Sequence, residues 1–214
     1  VNAALTANTT LGGITDTALR TVNLSGTGVL TLSAVNTAIT SITETGAAGL
    51  SADLSAVTGL TSLDASGTTG NNTLTLNATT QSLVGGAGNE VVTITADATK
   101  TITGGAGTNT LILNNTAATF TAANTVAKVT GFTTLGTSTA SQGTYDLSIL
   151  TGFNAIDVRG AIAGNTTFDK VTAGTTLQIS AAQGANTITY QLAGTNGAAS
   201  SASVNLKGAT VSAA

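Results

Sequence analysis

Gly85-Gly86-Ala87-Gly88-Asn89-Glu90-Val91-Val92-Thr93-Ile94 returns nineteen residues later as Gly104-Gly105-Ala106-Gly107-Thr108-Asn109-Thr110-Leu111-Ile112-Leu113. Each copy joins a glycine-rich turn to a short run of β-branched and apolar residues. A degenerate earlier copy, Gly67-Thr68-Thr69-Gly70-Asn71-Asn72-Thr73-Leu74-Thr75, puts the glycine starts at 67, 85 and 104, spaced by 18 and 19. A turn-plus-strand unit recurring this regularly predicts a coiled β-architecture.

Apolar spacing leads to the same fold without using glycine. Val22, Ile42, Leu63, Leu83 and Ile102 follow one another at 20, 21, 20 and 19 residues, and a companion row runs through Leu30, Leu50, Leu74, Val92 and Leu111. Two inward rows per coil suit a parallel β-helix or β-roll-like stack, in which each coil buries its apolar face only against its neighbours. Val29–Leu32, Thr73–Leu76, Val92–Thr95 and Thr101–Thr103 alternate apolar and polar residues as strands do. Gly, Asn and Ser bound them and supply turn conformations. The chain is therefore expected to be all-β, with coils of about 18–20 residues over 1–115 and a less regular β-region over 116–214. That second part is either a separate irregular domain or a continuation of the stack. It collects the larger side chains, among them Phe120, Phe132, Tyr145, Phe153 and Phe168. Val204-Asn205-Leu206 and Val211 read as closing strands.

Composition removes several function classes. The 214 residues include no Cys or His, so a disulfide framework, a Cys-based zinc centre and the commonest general base are all excluded. Six Lys and Arg against nine Asp and Glu leave a net charge of −3 with no basic cluster, which lacks the footprint of a nucleic-acid binder. Mean hydropathy is +0.34, yet Thr, Ser and Asn interrupt every apolar run, so no membrane-spanning segment is expected. The chain opens on Val1 and shows no basic leader followed by an apolar stretch, which reads as a processed piece of something longer.

The glycine turns fit the nine-residue frame Gly-Gly-x-Gly-x-Asp-x-(apolar)-x of calcium-binding RTX repeats. The sixth position holds Asn72, Glu90 and Asn109 in place of Asp. Asn keeps an oxygen without the charge, and Glu is one methylene longer; calcium wants about 6–8 oxygens around it. The candidate calcium ligands are Gly85, Ala87 and Glu90 in one turn and Gly104, Ala106 and Asn109 in the next, with Asp53 and Asp64 as bridging loop carboxylates. In the alternative reading the glycines only permit tight turns, and the Asn side chains bond to neighbouring backbone.

Together with phrases such as Leu19-Arg20-Thr21-Val22-Asn23-Leu24-Ser25-Gly26, Asp53-Leu54-Ser55-Ala56-Val57-Thr58-Gly59-Leu60 and Val129-Thr130-Gly131-Phe132-Thr133-Thr134-Leu135, these turns make the chain resemble the RTX-type surface-layer (S-layer) proteins of Gram-negative bacteria. The resemblance implies an extracellular structural protein of the cell surface, exported by a type I system. It would assemble with itself into a lattice with Ca2+, possess no enzymatic activity and be held in some cases by a cell-surface glycan. A chain without Cys or Pro also needs no oxidant and has no slow X-Pro step during folding outside the cell.

Three other functions are weighed against this one. An adhesin or filament subunit differs from a lattice protein mainly in its partners. A β-helical polysaccharide-active enzyme would need clustered carboxylates with aromatic platforms, for which Asp146, Asp157, Arg159, Asp169 and Lys170 near Tyr145 and Phe168 are the candidates. Solvated loop charges are the simpler account of them. Ice binding would need regular outward Thr rows, and the rows Thr73, Val91, Thr110 and Thr75, Thr93, Ile112 are interrupted.

Overall fold

The computed structural model describes residues 1–120, 127–194 and 203–206. The chain winds as a parallel β-solenoid of about nine turns with very little helix. Its first sheet has seven strands: Asn2–Leu5, Thr21–Gly26, Ser41–Gly46, Ser62–Thr68, Ser82–Val84, Ile102–Thr103 and Val129–Thr130. The second has ten, in chain order Thr9–Leu11, Val29–Leu32, Gly49–Asp53, Asn72–Leu76, Glu90–Ile94, Thr110–Leu113, Thr134–Thr137, Ala155–Val158, Thr176–Ile179 and Ser203–Leu206. Successive members of a sheet come from successive coils and pair in parallel, so every coil hydrogen-bonds to the ones above and below it.

The row predicted from apolar spacing lies in one register. Val22 pairs with Ile42, Ile42 with Leu63, Leu63 with Leu83, Leu83 with Ile102, and the row runs on to Val129. The first five are buried to within 2% exposure, each in the position of an alternating strand that faces inward. The companion row needs a correction. Leu30 does pair with Leu50, but Leu74 lies beside Ala52, and the true row is Leu32, Ala52, Leu74, Val92, Leu111, Leu135, Ile156 and Leu177. Leu50 and Ala52 are two residues apart and so face the same way, and the larger side chain attracts the assignment although the smaller one holds the register.

The second sheet crosses residue 115 without a break, from Thr110–Leu113 to Thr134–Thr137. A third sheet, Gly143–Asp146, Thr166–Val171 and Ile188–Leu192, takes up the opposite side of the later coils. Its inward row is aromatic: Tyr145 pairs with Phe168 and Phe168 with Tyr190. The Tyr145 and Phe168 rings stack with centroids 5.8 Å apart, and the Tyr145 hydroxyl donates to the Asn115 carbonyl at 2.7 Å. The closing strand expected at Val204–Leu206 forms within Ser203–Leu206, whereas Val211 lies outside the described residues.

A third side of each early coil is a connecting run that contributes its own core residues. Leu54, Val57 and Leu60 fill it in one coil, where the next has only Ala78. Gln81 makes up the difference: its side-chain amide, 1% exposed, donates to the carbonyls of Leu54 and Val57 at 2.8 and 3.1 Å. Two backbone acceptors that the corner turns inward are thereby satisfied.

Candidate functional site

The interior is not uniformly apolar. The inward row that starts with Leu30 and Leu50 on the second sheet continues as Asn72, Glu90 and Asn109, all of them within 1% of full burial. From the first sheet Glu44, with no exposed surface, points into the same coils, in the position held by Leu24 one coil earlier. The turns connecting the first sheet to the second run beside this polar column, immediately before Glu90 and Asn109 in the chain.

Asn72 and Asn109 fasten coils together. The Asn72 Oδ1 accepts from the Leu50 N–H at 2.7 Å, and the Asn109 Oδ1 accepts from the Glu90 N–H at 2.8 Å, each reaching back one coil. Their exposed counterparts reach forward: Asn71 Oδ1 accepts from the Asn89 N–H and Asn89 Oδ1 from the Thr108 N–H, both at 2.8 Å. Asn8 and Asn165 do the same for Val29 and Thr187 at 2.9 Å. The predicted bonding of Asn side chains to neighbouring backbone is thus observed, and it runs between coils as well as within turns.

Carboxylates are the costly members of the column. Glu90 accepts from the Asn72 Nδ2 at 3.4 Å and has the backbone N–H of Gly86 nearby, but its Oε2 has no hydrogen-bond partner. Neither oxygen of Glu44 has one, although the Asn72 amide lies nearby. Burial pushes Glu44 up to about 8, the Glu90 charge adds to this, and Asn72 opposes it. Burial likewise raises Glu90 to about 7, opposed by the Gly86 N–H and the Asn72 amide. Sequence reasoning missed Glu44 and undervalued Asn72. The available signal for Glu44 was parity, since in Ile42-Thr43-Glu44 an acid stands on the inward alternate of a strand.

The expected calcium ligands are placed as follows. Glu90 and Asn109 are brought side by side on adjacent strands. Gly85 and Gly104 are buried, and their N–H groups donate to the carbonyls of Thr103 and Thr130; Ala87 and Ala106 donate to Thr68 and Gly86. The Ala106 carbonyl, a ligand in the calcium frame, accepts from the Asn109 Nδ2 at 2.8 Å, as does the Gly131 carbonyl. Asp53 and Asp64 stand on different sheets, and each bonds to the residue two places further along its own chain segment. Their Oδ1 atoms accept from the N–H of Ser55 and Ser66 at 3.0 Å and from the two hydroxyls at 2.6 Å. Among the described residues no group of three or more His, Cys, Asp or Glu side chains is placed to hold a metal ion. Around Asn109 in particular, the donor set fits an amide rather than a calcium ion, because a side-chain N–H already satisfies the carbonyls.

The charged residues considered for catalysis separate into two outer groups. The Lys170 Nζ meets the Asp146 Oδ2 at 2.6 Å beside Asp169, which is in register with Asp146. Asp157 accepts from the Ser180 hydroxyl at 2.7 Å and lies 3.7 Å from Arg159. Tyr145 and Phe168, the aromatic platforms such a site would need, are 1% and 0% exposed and belong to the core. The Thr rows adopt the expected register, with Thr73, Val91 and Thr110 in one line and Thr75, Thr93 and Ile112 in the other. Thr110 and Ile112 are nevertheless buried.

The fold and its interior define a parallel β-solenoid whose coils are cross-linked by asparagine. No known protein family matches the chain, and no curated protein is significantly similar to it.

Proposed function

We propose that the protein is a structural, self-assembling component of a bacterial cell surface, working outside the cell as a segment of a surface-layer lattice. The observation that carries this reading is the outward face of the first sheet. Thr21, Ser41, Ser62 and Ser82 form one line across it, and Asn23, Thr43, Asp64, Val84, Thr103 and Thr130 form a second. Asp64 is the one charge among these ten positions. Apart from Asp64 and the exposed Val84 such a face consists of small hydroxyl and amide groups on a rigid backbone, so a second copy approaches it against little electrostatic repulsion. The partner would be another copy of the same chain, with a cell-surface glycan as a second candidate for the hydroxyl-rich surface.

Electron microscopy of the purified protein at increasing concentration tests this reading. Ordered sheets support it, fibres favour an adhesin or filament, and monomers at every concentration would sink both. A double variant, Thr21→Lys with Ser62→Lys, places like charges on one exposed line. It should abolish assembly while leaving stability within about 0.5 kcal/mol, as expected for surface positions.

A further inference from the structure

The turns 85–90 and 104–109 share Gly-Gly-Ala-Gly, yet their backbones differ. Gly105 and Gly107 take φ of +77° and +83°, whereas no glycine of the 85–88 turn is left-handed. The sixth residue differs as well. Glu90 presents a carboxyl group, and the earlier turn sets the Gly86 N–H near it. Asn109 presents a carboxamide, and the later turn aims carbonyls at it: Ala106 and Gly131 at 2.8 Å each, with Gly105 at 3.4 Å.

We propose that the Asn109 carboxamide serves the turn 104–109 as a built-in replacement for a bound cation, so that this coil junction closes without metal. Carbonyls from two successive coils converge on one nitrogen, an arrangement that brings several partial negative charges together and needs a positive centre between them. The two N–H groups of the neutral carboxamide supply partial positive charge there without changing the net charge. The same side chain also accepts the Glu90 N–H through its Oδ1 at 2.8 Å, which a metal ion could not do. Steric fit points the same way. A Cβ on Gly104 would lie 2.8 Å from the Asn109 Nδ2 and 2.6 Å from the Gly131 carbonyl oxygen, so the glycine leaves the space that the amide occupies. Asn109 itself has no exposed surface, so its amide is shielded from bulk water although the carbonyls it meets lie in a part-buried turn. This inference concerns the interior and stands whether or not the protein assembles.

The test is Asn109→Asp in the intact chain, with melting followed in a calcium chelator and in millimolar calcium. The variant loses its N–H donors and gains a carboxylate facing the same carbonyls. Its folded-to-unfolded ratio in chelator should fall by at least tenfold. Calcium should restore it, by about 100-fold once the ion is about 100 times above its dissociation constant. The wild-type chain should melt at one temperature in both media. Asn109→Leu provides a second variant, destabilised to a similar degree and indifferent to calcium. Hydrogen exchange of the wild-type side chain gives an independent reading, because the Asn109 amide protons should be among the slowest of all asparagines. A wild-type melting point that rises with calcium would overturn the proposal, as would rapid exchange of those protons or an Asp variant as stable in chelator as the parent.

Discussion

Glu44 and Glu90 make stability depend on pH in an unusual direction. Both are carboxyl groups whose folded values, about 8 and about 7, stand above the ordinary glutamate value of 4.5. Between that value and neutrality the folded chain holds protons that the unfolded chain has released. Their contribution is fully present below about pH 4.5 and is lost as pH rises through 7 and 8. Each group changes the folding equilibrium by roughly tenfold per pH unit inside that window. Melting temperature should therefore decline from pH 5 to pH 9. Glu44→Gln should flatten the decline and raise stability at the alkaline end; a wild-type curve that climbs over this range would contradict the account. The Asp146–Lys170 pair, which holds the Asp146 carboxyl down to about 2, is too exposed to offset it. At this scale the sequence was legible for asparagine and opaque for glutamate. Asn next to glycine announces a turn bond, whereas an acid such as Glu44 is ordinarily read as solvated, and only its place in the strand alternation says otherwise.

Among elements, strands were easier to read than the turns that join them. The row from Val22 to Ile102 could be drawn in advance because each coil spends nearly the same number of residues between inward positions. Register at Ala52 could not, because a methyl group gives a weaker apolar signal than the neighbouring Leu50 although both face the core. The repeated Gly-Gly-Ala-Gly promised one turn and produced two, and the residues that differ, Glu90 and Asn109, lie just outside the repeat. The third sheet was hidden for a related reason. Its aromatic column, Tyr145, Phe168 and Tyr190, is spaced by 23 and then 22 residues, longer than the 19 to 21 of the row from Val22 to Ile102. Load on the strands follows burial. Leu83, with no exposed surface, sits between Leu63 and Ile102 in the continuous row, and Leu83→Ala should cost about 2–5 kcal/mol by chemical denaturation. Leu11, 42% exposed on the first coil, should lose under about 1 kcal/mol on the same change. Equal costs at the two positions would mean that the stack is not the source of stability.

For the whole molecule, the pairing pattern matters more than any side chain. Among the described residues every sheet pairing joins a coil to the next one along, and no strand pairs with one from a more distant coil. Fold class was legible for this reason, because a structure with only nearest-neighbour bonds must repeat its pattern in the sequence. The later coils obscure it by varying the length of their corners while keeping the second sheet intact. Seen as a mechanical object, such a stack is a spool. Tension on its two ends loads the outermost coil alone, and that coil can leave without disturbing the rest. Each released coil of about 20 residues would lengthen the chain by roughly 70 Å at full extension. Single-molecule pulling should therefore give a series of small, similar steps, where one all-or-none rupture would show the coils to be coupled. A surface built from such units would absorb strain by paying out chain locally and rewinding, with its neighbours still in place.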